Sequence, residues 1–259
     1  DELERMMKAG MNVARLNFSH GEHENYGKVI QIIRDLDLKL NSHTAILADL
    51  QGPKIRTDVM AGEGALLKTG DIVEISTNNV EGTSKRFSTN YQSFAQDVKK
   101  GEKILLDDGK IHLEVDSTNG KDLVKAKITH GGLLTSRKGI NLPNTAISLP
   151  CLTPKDLVDL DYALSQDVDW LGLSFVRNSA DIKELRKIID SQSKHARIVA
   201  KIEKPEAVTD IDAIIKATDA IMVARGDLGV EIPMQNVPLV QKMLAKKCIK
   251  SAKPCIVAT

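Results

Sequence analysis

Short apolar runs that end abruptly in charge recur along this chain, most clearly in Ile198-Val199-Ala200-Lys201-Ile202-Glu203 and Ala220-Ile221-Met222-Val223-Ala224-Arg225-Gly226-Asp227. Each run has the length of a β-strand, and its charged end is costly to bury without a partner or a ligand. Residues 13–20, 45–51, 170–175 and 255–259 repeat the pattern. Between them, apolar positions in 26–36 and 180–189 fall at helical intervals, and 236–244 opens on Asn236 with an early Pro238, as helix starts often do. This alternation predicts a parallel α/β architecture. If the sheet closes into a barrel, the C-terminal ends of its strands gather on one face, bringing Lys201, Glu203, Arg225 and Asp227 towards one site. Two carboxylates with a lysine between them suggest a divalent metal and an anion.

The alternation breaks between about residues 53 and 150. Short β-rich runs at 71–76, 103–106, 111–115 and 123–128 are separated by turn signals at Asp108-Gly109, Asn119-Gly120 and Gly131-Gly132. This predicts a small antiparallel β-domain set into the α/β body. The expected division is a first barrel part at 1–52, an inserted β-domain at 53–150 and a second barrel part at 151–259. An insertion after a barrel strand lies beside the active-site mouth and can act as a lid over a second substrate.

Composition narrows the function classes. At 259 residues the chain can bury a sizeable core. With 36 basic against 35 acidic residues it has no electrostatic footprint for nucleic acid or an anionic membrane, and no apolar run is long enough to span a bilayer. The three cysteines, Cys151, Cys248 and Cys255, lack metal-ligand spacing, which favours reduced thiols and a cytoplasmic location.

Five motifs, in order along the chain, carry a resemblance. Residues 10–21, 49–57 (Asp49-Leu50-Gln51-Gly52-Pro53-Lys54-Ile55-Arg56-Thr57), 138–143, Lys201-Ile202-Glu203 and 222–231 together resemble pyruvate kinase. The resemblance spans essentially the whole chain. It implies a (β/α)8 TIM barrel with a small β-barrel domain inserted after the third strand, and transfer of a phosphoryl group from phosphoenolpyruvate to ADP to give pyruvate and ATP, the final step of glycolysis.

Site residues follow position by position from that resemblance. Glu203 and Asp227 correspond to Mg2+ ligands, with Mn2+ as a substitute, and Lys201 to the transition-state stabiliser. Arg15 corresponds to an arginine that binds phosphoenolpyruvate, its planar fork suiting a phosphate. Gly226, Asp227 and Thr259 correspond to the rest of the substrate pocket. Arg56 and Lys138, with the segment Asn17, Phe18, Ser19 and His20, correspond to the nucleotide side. The monovalent-cation ligands fall on Asn17, Ser19, Asp49 and the carbonyl of Leu50.

The chain departs from the family pattern in two places. Potassium-dependent members resemble Thr-Lys-Gly-Pro-Glu where this chain has Leu50-Gln51-Gly52-Pro53-Lys54. Lys54 is expected to supply a tethered positive charge there, so that activity needs Mg2+ and little or no K+. By strand count the chain is expected to run from the second to the seventh barrel strand, without the eighth strand or the usual C-terminal regulatory domain. An open sheet exposes strand edges, so the isolated chain is expected to be poorly stable and to turn over slowly, the complete protein being a homotetramer.

Plainer readings exist for each residue. Glu203 and Asp227 alone read as strand-end caps or ion-pair partners, Lys201 as a paired lysine, Arg15 as a tie to a helix end and His20 as structural. Gly52-Pro53 alone is a turn and the hinge into the inserted domain, Asp107-Asp108-Gly109 a hairpin turn, and Lys99-Lys100 and Lys246-Lys247 solvated faces. A Mg2+-dependent lyase or class II aldolase on a similar barrel is the alternative enzyme class, although it has no need of the β-domain. A non-catalytic fragment is the alternative outside enzymes.

Overall fold

The computed structural model describes residues 2–258. The chain runs α1 (Glu2–Lys8), β1 (Val13–Asn17), α2 (His23–Leu40) and β2 (Ala45–Asp49), then through β3 (Ala65–Leu67), β4 (Ile72–Ser76), β5 (Arg86–Ser88), α3 (Phe94–Asp97), β6 (Lys103–Leu106), β7 (Ile111–Thr118), β8 (Leu123–His130), β9 (Gly132–Leu134) and β10 (Ile140–Asn141). It continues with α4 (Pro154–Ser165), β11 (Trp170–Leu173), α5 (Ser179–Ser191), β12 (Arg197–Ile202), α6 (Pro205–Thr209), α7 (Ile211–Ala217), β13 (Ala220–Ala224), α8 (Arg225–Glu231), α9 (Val237–Lys250) and β14 (Cys255–Ala258). Two compact units result: one formed by residues up to 53, 150–225 and from 238 on, the other by 54–149 and 226–237.

In the first unit six parallel strands lie in the order β1-β2-β11-β12-β13-β14, with every neighbouring pair parallel. This is the α/β barrel-type fold and the strand number that the sequence implies. Strands β12 and β13 are almost wholly buried, which is why they read as unbroken apolar runs. Strand β1 instead alternates, burying Ala14 and Leu16 and exposing Val13, Arg15 and Asn17. One face of the sheet carries Leu47, Val199, Ala220 and Met222, packed with Trp170 and Ile256. The side-chain period of two then extends this row from Leu47 to Asp49 and from Val199 to Lys201 and Glu203.

Helix α4 goes beyond the helices that periodicity predicts, and a capping box explains its start. Thr153 accepts from the Asp156 N–H, the Asp156 carboxylate accepts from the Thr153 N–H, and Pro154 opens the helix. Among the described residues no helix is long and apolar enough to cross a membrane.

The second unit is β-rich. A six-stranded sheet runs β10-β6-β7-β8-β4-β5, and β3 pairs with β9 in a separate two-stranded sheet. Alternation in β7 buries Ile111, Leu113 and Val115, which join Val73, Ile75, Phe87, Phe94, Ile104 and Val124 in one core. The sheet differs from the expected antiparallel one at β5, which runs parallel to β4. Residues 77–85 are long enough to carry the chain back alongside Glu74 in the middle of β4, where Arg86 opens β5, so the two strands share a direction. The turn at Asp107-Asp108-Gly109 does join the antiparallel strands β6 and β7, with positive φ at all three residues.

Candidate active site

Lys201 and Glu203 are two residues apart at the end of β12, so both side chains emerge on the same face of the sheet. Both are buried. The Lys201 ammonium is fully partnered: it donates to Ser174 Oγ at 2.7 Å and lies 3.0 Å from Glu203 Oε1 and 3.1 Å from Asp49 Oδ1. Burial by itself pushes the Lys201 pKa down, but the Glu203 and Asp49 carboxylates outweigh it and the pKa is raised. Lys201 is therefore a fixed positive charge in a low-dielectric site.

Asp49 ends β2 on the same face and is almost inaccessible. Its Oδ2 accepts from Arg15 Nε at 2.7 Å and pairs with the Arg15 Nη2 at 2.5 Å, leaving the guanidinium half-exposed. Gly172 makes room for this carboxylate, since a Cβ at Gly172 would lie 3.0 Å from Asp49 Oδ1. Ser174 Oγ in turn donates to the Leu50 carbonyl at 2.6 Å. Arg15, Asp49, Lys201, Glu203 and Ser174 thus form one connected set drawn from four strands and their ends.

Behind Glu203 the backbone takes an unusual turn. Phe175 has φ 53°, in the left-handed region, and its N–H donates to Glu203 Oε2 at 2.8 Å. Glu203 thus faces the Lys201 ammonium through Oε1 and the Phe175 N–H through Oε2. Among the described residues no three His, Cys, Asp or Glu side chains cluster to hold a metal. A Mg2+ ion held by one or two carboxylates, with waters and substrate oxygens completing its shell, needs no such cluster, and a carboxylate such as that of Glu203 offers the hard oxygens such an ion takes.

The segment after β1 is held from below. Phe18 buries its ring, donates its N–H to the Asp49 carbonyl and accepts at its own carbonyl from Lys155 Nζ at 2.7 Å. Asn17 Oδ1 accepts from the Ser19 N–H at 3.1 Å. The side chains of Asn17 and His20 are exposed and Ser19 is half-buried.

In the second unit Arg56 and Lys138 lie on adjacent antiparallel segments: Arg56 bridges to Gly139, and the Thr57 N–H donates to the Lys138 carbonyl at 2.8 Å. The Lys138 ammonium is 2.9 Å from Asp107 Oδ1, and this contact, with Lys110, holds the Asp107 carboxyl below its ordinary range. Asp227, in the first turn of α8, is half-exposed, with Oδ1 4.0 Å from the Lys54 ammonium, and Gly226 beside it is exposed. Thr259 lies outside the described residues. Arg225, which follows β13, is exposed, and its Nε donates to the carbonyl of Ala258 at the end of β14 at 2.7 Å.

Two residues of this site escape a reading by motif. Ser174 had a faint signal, as the polar residue that closes the buried run of β11. Phe175 had none, since a phenylalanine does not announce a left-handed conformation.

A family model described as "Pyruvate kinase, barrel domain" matches residues 1–259, the entire chain. The chain belongs to the pyruvate kinase family. Among curated pyruvate kinases, that of Corynebacterium efficiens is 45% identical over 259 residues, covering 100% of this chain and 54% of the relative. The pyruvate kinase of Geobacillus stearothermophilus is 45% identical over 261 residues, with 44% of its length covered, and that of Staphylococcus aureus is 45% identical over 258 residues, again with 44% covered. The chain therefore spans about half the length of the curated pyruvate kinases it matches.

Proposed function

We propose that the protein to which this chain belongs transfers the phosphoryl group of phosphoenolpyruvate to ADP, forming pyruvate and ATP in the cytoplasm as a homotetramer. The observation that carries this reading is the buried Lys201 ammonium, held at 3.0 Å from Glu203, 3.1 Å from Asp49 and 2.7 Å from Ser174. A charge so fixed needs no reorganisation as negative charge develops on a phosphoryl group in flight. The neighbouring Arg15 guanidinium, braced by Asp49, keeps part of its donor fork exposed for the substrate phosphate.

Glu203 and Asp227 hold Mg2+, with Mn2+ as a substitute; when bound, the ion neutralises substrate oxygens. Gly226, Asp227 and Thr259 complete the substrate pocket. Arg56 and Lys138, paired on adjacent segments, take the nucleotide phosphates together with Asn17, Ser19 and His20, while Phe18 supports that segment from beneath. Residues 53–150 serve as the nucleotide lid. The monovalent-cation positions are Asn17, Ser19, Asp49 and the Leu50 carbonyl, and the Lys54 ammonium beside Asp227 substitutes for the ion, so K+ is dispensable. A lyase or aldolase reading has no use for Arg56 and Lys138, and the match to the pyruvate kinase family over the whole chain disfavours it.

The test is pyruvate formation from phosphoenolpyruvate and ADP with Mg2+, measured on the complete protein and on its Lys201→Ala and Glu203→Ala variants. Activity that collapses by about a hundredfold or more in both variants supports the reading. A folded complete protein that forms no pyruvate overturns it.

A further inference from the structure

The segment 17–20 is clamped through its carbonyl groups, by donors that none of the assigned roles use. The Phe18 carbonyl accepts from Lys155 Nζ at 2.7 Å. The Tyr26 hydroxyl lies 2.5 Å from the Asn17 carbonyl and also contacts the His20 carbonyl. A phenol has one proton, so it serves these two acceptors in alternation or as a shared bond. Three carbonyls of a four-residue segment are thus engaged by side chains of α2 and α4.

The donors are themselves braced. Lys155 is 2.5 Å from Asp159 Oδ2, Asp159 Oδ1 is 2.7 Å from His23 Nε2, and the Tyr162 hydroxyl donates to the His23 carbonyl at 2.6 Å. The aromatic rings complete the support. Phe18 stacks on Tyr26 at 4.3 Å between centroids, and His23 stacks on Tyr162 at 4.2 Å. Neither Lys155 nor Tyr26 belongs to the Lys201 cluster. Each donates to backbone carbonyls of the segment.

Electrostatics says what such a clamp is for. A carbonyl oxygen is the negative end of its peptide dipole and opposes a phosphate nearby. Engaging the Asn17, Phe18 and His20 carbonyls by side chains of α2 and α4 neutralises them, while the Asn17 and His20 side chains stay exposed and that of Ser19 half-buried. We propose that Lys155 and Tyr26 are positioning residues that hold segment 17–20 in the conformation that accepts the nucleotide phosphates. The inference rests on the nucleotide role assigned to that segment above.

The experiment compares the complete protein with its Lys155→Met, Lys155→Arg and Tyr26→Phe variants by steady-state kinetics, thermal unfolding and hydrogen exchange of the 17–21 amides. Lys155→Met and Tyr26→Phe are expected to raise KM for ADP about tenfold, with KM for phosphoenolpyruvate nearly unchanged and faster exchange confined to that segment, at an unchanged unfolding midpoint for Tyr26→Phe and a lowered one for Lys155→Met, whose loss leaves Asp159 without its ammonium. Lys155→Arg, which keeps charge and donors, is expected to recover most of the loss. An unchanged KM for ADP in folded Lys155→Met and Tyr26→Phe overturns the inference, as does an equal rise in both KM values together with lowered stability. A wild-type protein that forms no pyruvate removes the functional reading, and the inference falls with it. An active wild type with indifferent variants defeats the inference alone.

Discussion

Phe175 turns its backbone to φ 53° and in doing so directs its N–H onto Glu203 Oε2 at 2.8 Å. A non-glycine residue in the left-handed region costs of order 1–3 kcal/mol. The surrounding packing enforces it. Phe175 Cδ2 and Ser174 Cβ both approach the face of Gly52, whose own φ is 71°. Strain at Phe175 and freedom at Gly52 are two sides of one contact between the ends of β2 and β11.

Gly52→Ala should therefore be poorly tolerated. The new Cβ would lie 2.9 Å from both Phe175 Cδ2 and Ser174 Cβ, at a positive φ that alanine disfavours. Steric pressure and backbone strain together predict a loss of about 2–4 kcal/mol, read as a lower urea midpoint at unchanged slope. A midpoint within error of wild type would show that the Phe175 turn is compliant.

Lys201 makes a pH-dependent contribution of known sign. Its pKa is raised above the ordinary 10.5 in the folded state, so folding favours the charged form. The contribution is whole below the unfolded value and fades as pH rises through the folded pKa. The stability difference between wild type and Lys201→Met should hold steady from pH 8 to about 10 and shrink above 10.5. A difference independent of pH up to 11.5 would contradict the buried ion pairs with Glu203 and Asp49.

Lys54 offers a test by charge reversal. Its ammonium lies 4.0 Å from Asp227 Oδ1, an arrangement that supplies a fixed cation beside a carboxylate. The complete protein should be active with Mg2+ in the absence of K+, and Lys54→Glu should lose most of that activity and regain it on adding K+. Wild-type activity that depends strongly on K+ would refute the substitution of lysine for the ion.

Asp156 is a stability prediction. Its fully buried carboxylate accepts from the Gly52 N–H at 3.0 Å, the Thr153 N–H at 2.9 Å and the Thr153 hydroxyl at 2.5 Å. Asp156→Ala orphans all three donors, and a loss of about 3 kcal/mol or more is expected. Thr153→Ala removes only the hydroxyl, which caps the Asp156 N–H and donates to its carboxylate, and should cost about 1 kcal/mol. Equal losses in the two variants would mean that the bonds from the Gly52 and Thr153 N–H groups contribute nothing.

Much of this protein was legible in its residues one after another. Periodicity placed the buried strands β12 and β13, the helices α2 and α5 and the alternating strand β7, because burial of a face repeats every two or 3.6 residues whatever lies across from it. The spacing of Lys201 and Glu203 put both on one side of a strand for the same reason. Spacing along the chain does not say which distant segment a side chain meets. That Arg15 rests on Asp49, that Ser174 bridges Lys201 to the Leu50 carbonyl, that Gly172 clears space for Asp49 and that Arg225 reaches the Ala258 carbonyl are decided by strand order and register. The left-handed turn at Phe175 is of the same kind, since contacts between separate strand ends, and not its own preference, hold it there.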